Sequence, residues 1–97
     1  MNLIWSDHAL AQLDAFADRL KALVGEDSGT RFVDQMTRRS HALRDFPELG
    51  RTVPEFENPL IRELIEDDYR IVYERFPDRI EVIALVNAKM SFEDWRP

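Results

Sequence analysis

The sequence predicts an α+β fold of order β-α-α-β-β-β, with a helix hairpin packed on one face of a small, mostly antiparallel four-stranded sheet. Three observations carry this: a short apolar run at the N-terminus, two amphipathic helical stretches after it, and three β-branched and aromatic runs separated by turn residues in the last third of the chain.

Asn2-Leu3-Ile4-Trp5 reads as the first strand, and Ser6-Asp7 supplies the oxygen-bearing side chains that cap a helix N-terminus. From Ala9 onward, Leu10, Leu13, Phe16, Ala17, Leu20, Leu23 and Val24 recur at spacings of three and four, with Asp14, Asp18, Arg19 and Lys21 on the other face. That helix ends near Gly25. The turn-forming segment Gly25 to Thr30 leads into a second helix marked by Phe32, Val33, Met36, Leu43 and Phe46 and stopped by Pro47. Its short connection makes the two helices antiparallel. The segment from Pro47 through Pro59 reads as loop from its Pro and Gly content, and strands follow at Leu60–Ile65, Tyr69–Phe76 and Arg79–Val86.

Register decides which side chains meet, because residues alternate faces along a strand. Pairing Ile65 with Tyr69 and Phe76 with Arg79 gathers Ile61, Ile65, Tyr69, Ile71, Tyr73, Ile80, Val82, Ala84 and Val86 on the helix-covered face, with Glu63 as the misfit. Arg62, Leu64, Arg70, Val72, Glu74, Glu81, Ile83, Leu85 and Asn87 then occupy the open face. The last strand is apolar on both sides and is expected to be central, with Asn2–Trp5 parallel beside it. The open face carries an apolar patch that needs a cover, either the segment Ser91-Phe92-Glu93-Asp94-Trp95 or a partner chain.

Ninety-seven residues suit one domain over 1–97. No apolar run approaches the roughly 18 to 20 residues that span a bilayer, and the N-terminus lacks the pattern of a signal peptide, so a cytoplasmic protein is expected. A net charge of −6 opposes general nucleic-acid binding, which needs a local basic cluster to displace counterions. Eleven of the thirteen basic residues are Arg, which suits forked recognition of carboxylate or phosphate and also follows from an Arg-rich genome. The chain contains no cysteine, no metal-ligand spacing, no Gly-rich phosphate loop and no nucleophile triad, so no cofactor is expected.

Ile4-Trp5-Ser6 before a helix hairpin, then FPELGRTVPE, IRELI, YRIVYE and IEVIALVN, in that order, resemble the RelE/ParE superfamily of toxins from type II toxin–antitoxin systems. The resemblance covers nearly the whole chain. It implies a toxin of plasmid-stabilisation type whose open sheet face is the working surface, with a cognate antitoxin wrapping over that face or over the helices. The superfamily divides into ribosome-dependent mRNA endonucleases and ParE-type members that inhibit DNA gyrase without cleavage.

By that resemblance Arg70 corresponds to the arginine that contacts the scissile phosphate, and Glu55 to the carboxylate base of the YoeB-like branch. Arg62, beside Arg70 in the register above, would complete a two-arginine anion site. Arg51 either touches phosphate or braces its loop. Cleavage also needs a proton donor for the leaving oxygen. Nucleases of the superfamily often end the last strand with His or clustered basic residues, whereas this chain has Asn87, which cannot transfer a proton, and Lys89. Tyr69 is expected to face the helices. His8 and His41 fall in or beside helices and are read as structural.

The candidate catalytic set is therefore Arg70, Arg62, Glu55 and Lys89. The candidate partner surface is Arg62, Leu64, Arg70, Val72, Ile83, Leu85 and Asn87. The incomplete acid–base set and the net charge favour a ParE-like, non-nucleolytic toxin bound by its antitoxin. The alternatives are a ribosome-dependent mRNA endonuclease and a decayed toxin that keeps only antitoxin binding.

Overall fold

The computed structural model describes residues 1–89. Strand β1 (Asn2–Trp5) leads into α1 (Asp7–Val24), α2 (Glu26–His41) and a short 3-10 turn, Ala42–Arg44. Strands β2 (Arg51–Thr52), β3 (Ile61–Glu66), β4 (Tyr69–Arg75) and β5 (Arg79–Asn87) follow. The sheet order is β1-β5-β4-β3-β2, with β1 parallel to β5 and every other pair antiparallel. The expected parallel crossover and the central last strand are both present. The sheet has five strands rather than four, because Arg51 and Thr52, inside the segment read as loop, pair with Glu63 and Arg62.

Local chemistry accounts for the helical layer. The Ser6 hydroxyl accepts from the Ala9 amide at 3.0 Å and satisfies an otherwise orphaned N–H at the start of α1. Gly25, at φ 116, makes the reversal between the helices in a region that side-chain-bearing residues avoid. Ala9, Leu13, Ala17, Phe32 and Met36 then pack on Leu64, Ile71, Tyr73, Ile80, Val82 and Leu85 as one buried cluster. Phe16, Phe32 and Tyr69 meet edge to face, with centroids 4.8 to 6.3 Å apart. β1 stops beside Val82, so among the described residues no strand continues on that side of Leu85, and its amide donates to the side-chain oxygen of Gln12 of α1 at 2.8 Å.

The open face differs from the expected one on two strands. The β3–β4 turn consists of Asp67 and Asp68 alone, with Asp67 at φ 50, so Glu66 rather than Ile65 opposes Tyr69. That one-residue slip turns β3 over. Ile61, Glu63 and Ile65 share the face of Val72 and Arg70, while Arg62 and Leu64 point to the helices. On β5 the register shifts beside Val72/Tyr73, since Val72 opposes Ala84 and Tyr73 opposes Val82. This bulge at Ile83 sends Ala84 and Val86 to the open face and Leu85 to the helix side.

The open face is also not bare. Val53 and Phe56, from the loop after β2, lie on Val72, Ala84 and Val86 and form a second small core. Val53, Val72, Ala84 and Val86 are all essentially inaccessible to solvent. The chain's own loop thus covers the patch, a third possibility beside the C-terminal segment and a partner chain. The other proposed cover, Ser91 to Trp95, lies outside the described residues. Among the described residues no helix is long and apolar enough to cross a membrane.

Candidate functional site

Arg70 sits on β4 beneath the loop cover, and three charged groups converge around it. Its Nη1 and Nη2 donate to the two carboxylate oxygens of Glu55, each at 2.9 Å. Its Nε donates to Glu63 of β3. The second oxygen of Glu63 accepts from Arg51 Nε at 3.0 Å. Charges therefore alternate along a chain of four, Glu55–Arg70–Glu63–Arg51, and two cations are matched by two anions.

Burial grades across this network. The Glu63 side chain is fully buried, Arg70 is 10% exposed, Glu55 30% and Arg51 65%. A carboxylate placed as deep as Glu63 is tolerable only when its oxygens are neutralised and hydrogen-bonded, and both arginines serve that need. The hydrogen-bonded Arg70 guanidinium holds the Glu55 carboxyl below its ordinary range, against a smaller opposing effect of burial. Glu55 and Glu63 in turn raise the Arg70 pKa further, so Arg70 stays charged at every accessible pH.

A second clamp fixes the start of the loop. The buried Tyr73 hydroxyl donates to the Pro47 carbonyl at 3.0 Å and accepts from the Gly50 amide at 2.9 Å, and burial raises its pKa. The approach at Gly50 is so close that a Cβ there would lie 2.5 Å from the Glu63 carbonyl oxygen. Arg62 Nη1 donates to the Gly50 carbonyl at 2.8 Å, and Arg75 pairs with Glu48 at 2.6 Å. Residues 47–56 are thus tied to the sheet at both ends.

The candidate catalytic residues are scattered by this arrangement. Arg70 and Glu55 come together, but as partners to each other. Arg62 and Arg70 leave opposite faces of the sheet, so the expected two-arginine anion site does not form. Lys89 is exposed beyond the end of β5, where its amide donates to Asn87.

Of the candidate partner surface, Arg70, Val72 and Ile83 lie on the open side. Leu64 and Leu85 are buried in the helix-side core, and Asn87 lines a cavity with Phe16, Leu20 and Tyr69 of that same side. Tyr69 faces the helices as expected. His8 and His41 are both exposed. Among the described residues no group of three His, Cys, Asp or Glu is placed to hold a metal ion.

The residue that sequence reasoning missed is Glu63, which it treated as a misfit on the helix face. Its signal was available: with Asp67-Asp68 as a two-residue turn, Glu63 moves to the face of Arg70, and a lone carboxylate there requires a cation.

With this geometry in hand, comparison with known proteins gives a consistent answer. The family model described as the ParE toxin of the type II toxin–antitoxin system parDE matches residues 3–92. No curated protein matches the sequence, whereas ten solved chains do. One of these, from the chromosomal ParDE toxin–antitoxin system of P. aeruginosa, superposes with a TM-score of 0.78 at 22% identity, covering 90% of this chain and 95% of that one. At that identity the likeness establishes the shared fold, and the family model, spanning almost the entire sequence, establishes kinship: the chain belongs to the ParE toxin family of type II toxin–antitoxin systems.

Proposed function

We propose that this chain is the toxin of a type II pair, that a cognate antitoxin neutralises it in the cytoplasm, and that it arrests growth without cutting RNA, by acting on DNA gyrase. Family membership supports the toxin and its antitoxin. The observation that carries the non-nucleolytic mode is the two-pronged Glu55–Arg70 ion pair. A ribonuclease of this superfamily needs its arginine on the phosphate and its carboxylate on the 2′-hydroxyl. Here each occupies the other. A carboxyl whose pKa is lowered, and whose two oxygens already accept hydrogen bonds, is also a weaker base than a free one. Gyrase as the target rests on the ParE kinship and not on a feature of the site.

The test is expression with and without the product of the adjacent small reading frame, followed by assays on purified protein. Growth arrest relieved by the neighbour, intact mRNA on translating ribosomes and inhibited DNA supercoiling are the expected results. Site-specific mRNA cuts that disappear in Glu55→Gln would replace this reading with the endonuclease. Unaffected growth without the neighbour would mean that the toxin activity has been lost.

A further inference from the structure

The C-terminal half of α1 carries an apolar stripe that the described fold leaves partly bare. Phe16, Leu20 and Leu23 follow at spacings of four and three, so they share one side of the helix. Phe16 and Leu20 are half-buried, but Leu23 is 71% exposed. The stripe faces Tyr69, where β4 begins, and Asn87, where β5 ends, across a cavity of about 250 Å³. Phe16 and Tyr69 meet edge to face with centroids 5.2 Å apart, which gives the cavity an aromatic wall. Arg19 also lines it, is exposed, and enters no ion pair among the described residues. The groove thus offers an apolar surface and one unmatched cation.

The chain itself leaves the sheet at this groove. Asn87 is both the last residue of β5 and part of the cavity lining. Its side-chain oxygen accepts from the Lys89 amide at 2.9 Å, and the Ala88 amide donates to the Asp68 carbonyl at 2.6 Å, so the exit is fixed in place. The sequence that follows, Met90-Ser91-Phe92-Glu93-Asp94-Trp95, sets three large apolar residues beside two carboxylates. Phe92 stands three residues past Lys89 and Trp95 six, reaches of up to about 11 and 21 Å. The other apolar seat on the sheet, its open face, is already occupied by Val53 and Phe56.

We infer that residues 90–97 dock on their own domain in this groove, with Phe92 and Trp95 against Phe16, Leu20, Leu23 and Tyr69, and with Glu93 or Asp94 at Arg19. On so short a tether the segment meets the groove at high effective concentration, so modest contacts suffice. Apolar burial carries the association, and the exposed ion pair adds a smaller share that sets orientation. A second copy of the chain fits less well. A symmetric pairing through this stripe brings like patches together, and with them Arg19 against Arg19.

The test uses the full chain, with leucine methyl groups labelled for NMR. The Leu20 and Leu23 signals should move when Phe92→Ser and Trp95→Ser are combined, because ring currents from the segment are removed. Those of Leu49 and Leu60, at the far end of β4, should stay in place. In a Trp5→Phe background Trp95 is the sole indole, and acrylamide should quench it several-fold more slowly than free tryptophan. Arg19→Glu, at an exposed position, should raise that quenching about twofold or more. Methyl signals indifferent to the double change, free quenching of Trp95, or no response to Arg19→Glu would each overturn the inference. Leu20 and Leu23 signals that shift on dilution would overturn it in favour of a second copy. If Trp5→Phe does not fold, the methyl measurement, made with Trp5 intact, decides alone.

Discussion

Glu55 holds Arg70 with both carboxylate oxygens, each at 2.9 Å, and so fastens the loop after β2 over the apolar face of the sheet. The pair joins two positions fifteen residues apart and lies at the margin of the small core formed by Val53, Val72, Ala84 and Val86. Glu55→Gln keeps the shape and removes the charge. The pair is intermediate between exposed ion pairs, worth about 0.2 to 1 kcal/mol, and fully buried ones, whose disruption costs about 3 to 5 kcal/mol. A loss of about 1 to 2 kcal/mol in urea unfolding is expected, with faster amide exchange at Val53 and Phe56. Unchanged exchange there would show that the apolar contacts alone retain the loop.

Removing Arg70 should cost more than removing Glu55, because it strands a fully buried carboxylate. Arg70→Met leaves Glu63 with Arg51 alone and is expected to destabilise by about 3 to 5 kcal/mol. Adding Glu63→Gln should recover a substantial part of that loss, since the second change removes the unmatched buried charge. A double-mutant cycle in urea measures the coupling, and additive losses would refute the network. The cycle also bears on function, because an Arg70 variant that loses toxicity through instability says nothing about contact with a target.

Stability should also depend on pH through Glu55. Its folded-state pKa lies below its ordinary value of 4.5, so the unfolded chain takes up the proton first as pH falls. The contribution is fully present above about pH 4.5 and disappears as pH drops through the lowered folded value. Urea midpoints measured from neutral pH downward should fall more steeply below that point for the wild type than for Glu55→Gln. Parallel profiles would place the acid sensitivity elsewhere.

The layered plan of this fold was legible because it follows from periodicities long enough to be unambiguous. Leu13 and Ala17 on α1, and Ile80 and Val82 at the start of β5, reach the core as their spacing requires. Periodicity alone left the face of β3 open, because it depends on whether the turn holds two residues or three, and only the lone carboxylate of Glu63 pointed to two. Asp67 accepts φ 50, and that local conformation reverses Arg62, Glu63 and Leu64 together. The bulge at Ile83 likewise arises from packing, with no Gly or Pro to announce it. Glu55 and Arg70 were both singled out, but as agents of chemistry rather than each other's partner. A loop of ten residues with two prolines gives no periodic signal for where its carboxylate will land.

The Tyr73–Gly50 clamp anchors the loop's entry as Glu55 anchors its far side. Tyr73→Phe leaves the ring in the core and deletes a hydroxyl that both donates to Pro47 and accepts from Gly50. Two backbone groups then lose a partner in a region where Gly50 is buried, and about 1 to 3 kcal/mol of destabilisation follows. Gly50→Ala acts on the same contact sterically, since its Cβ would fall 2.5 Å from the Glu63 carbonyl oxygen and 2.8 Å from Tyr73 Cε1. The backbone oxygen cannot swing aside as a side chain does, so the loop must shift outward and take Arg51 away from Glu63. Gly50→Ala should therefore reduce the coupling measured between Arg51 and Glu63, whereas Tyr73→Phe should leave that coupling nearly intact. Comparing the two double-mutant cycles separates loss of a hydrogen bond from displacement of the loop, and equal coupling in both backgrounds would show that the close approach at Gly50 does not position Arg51.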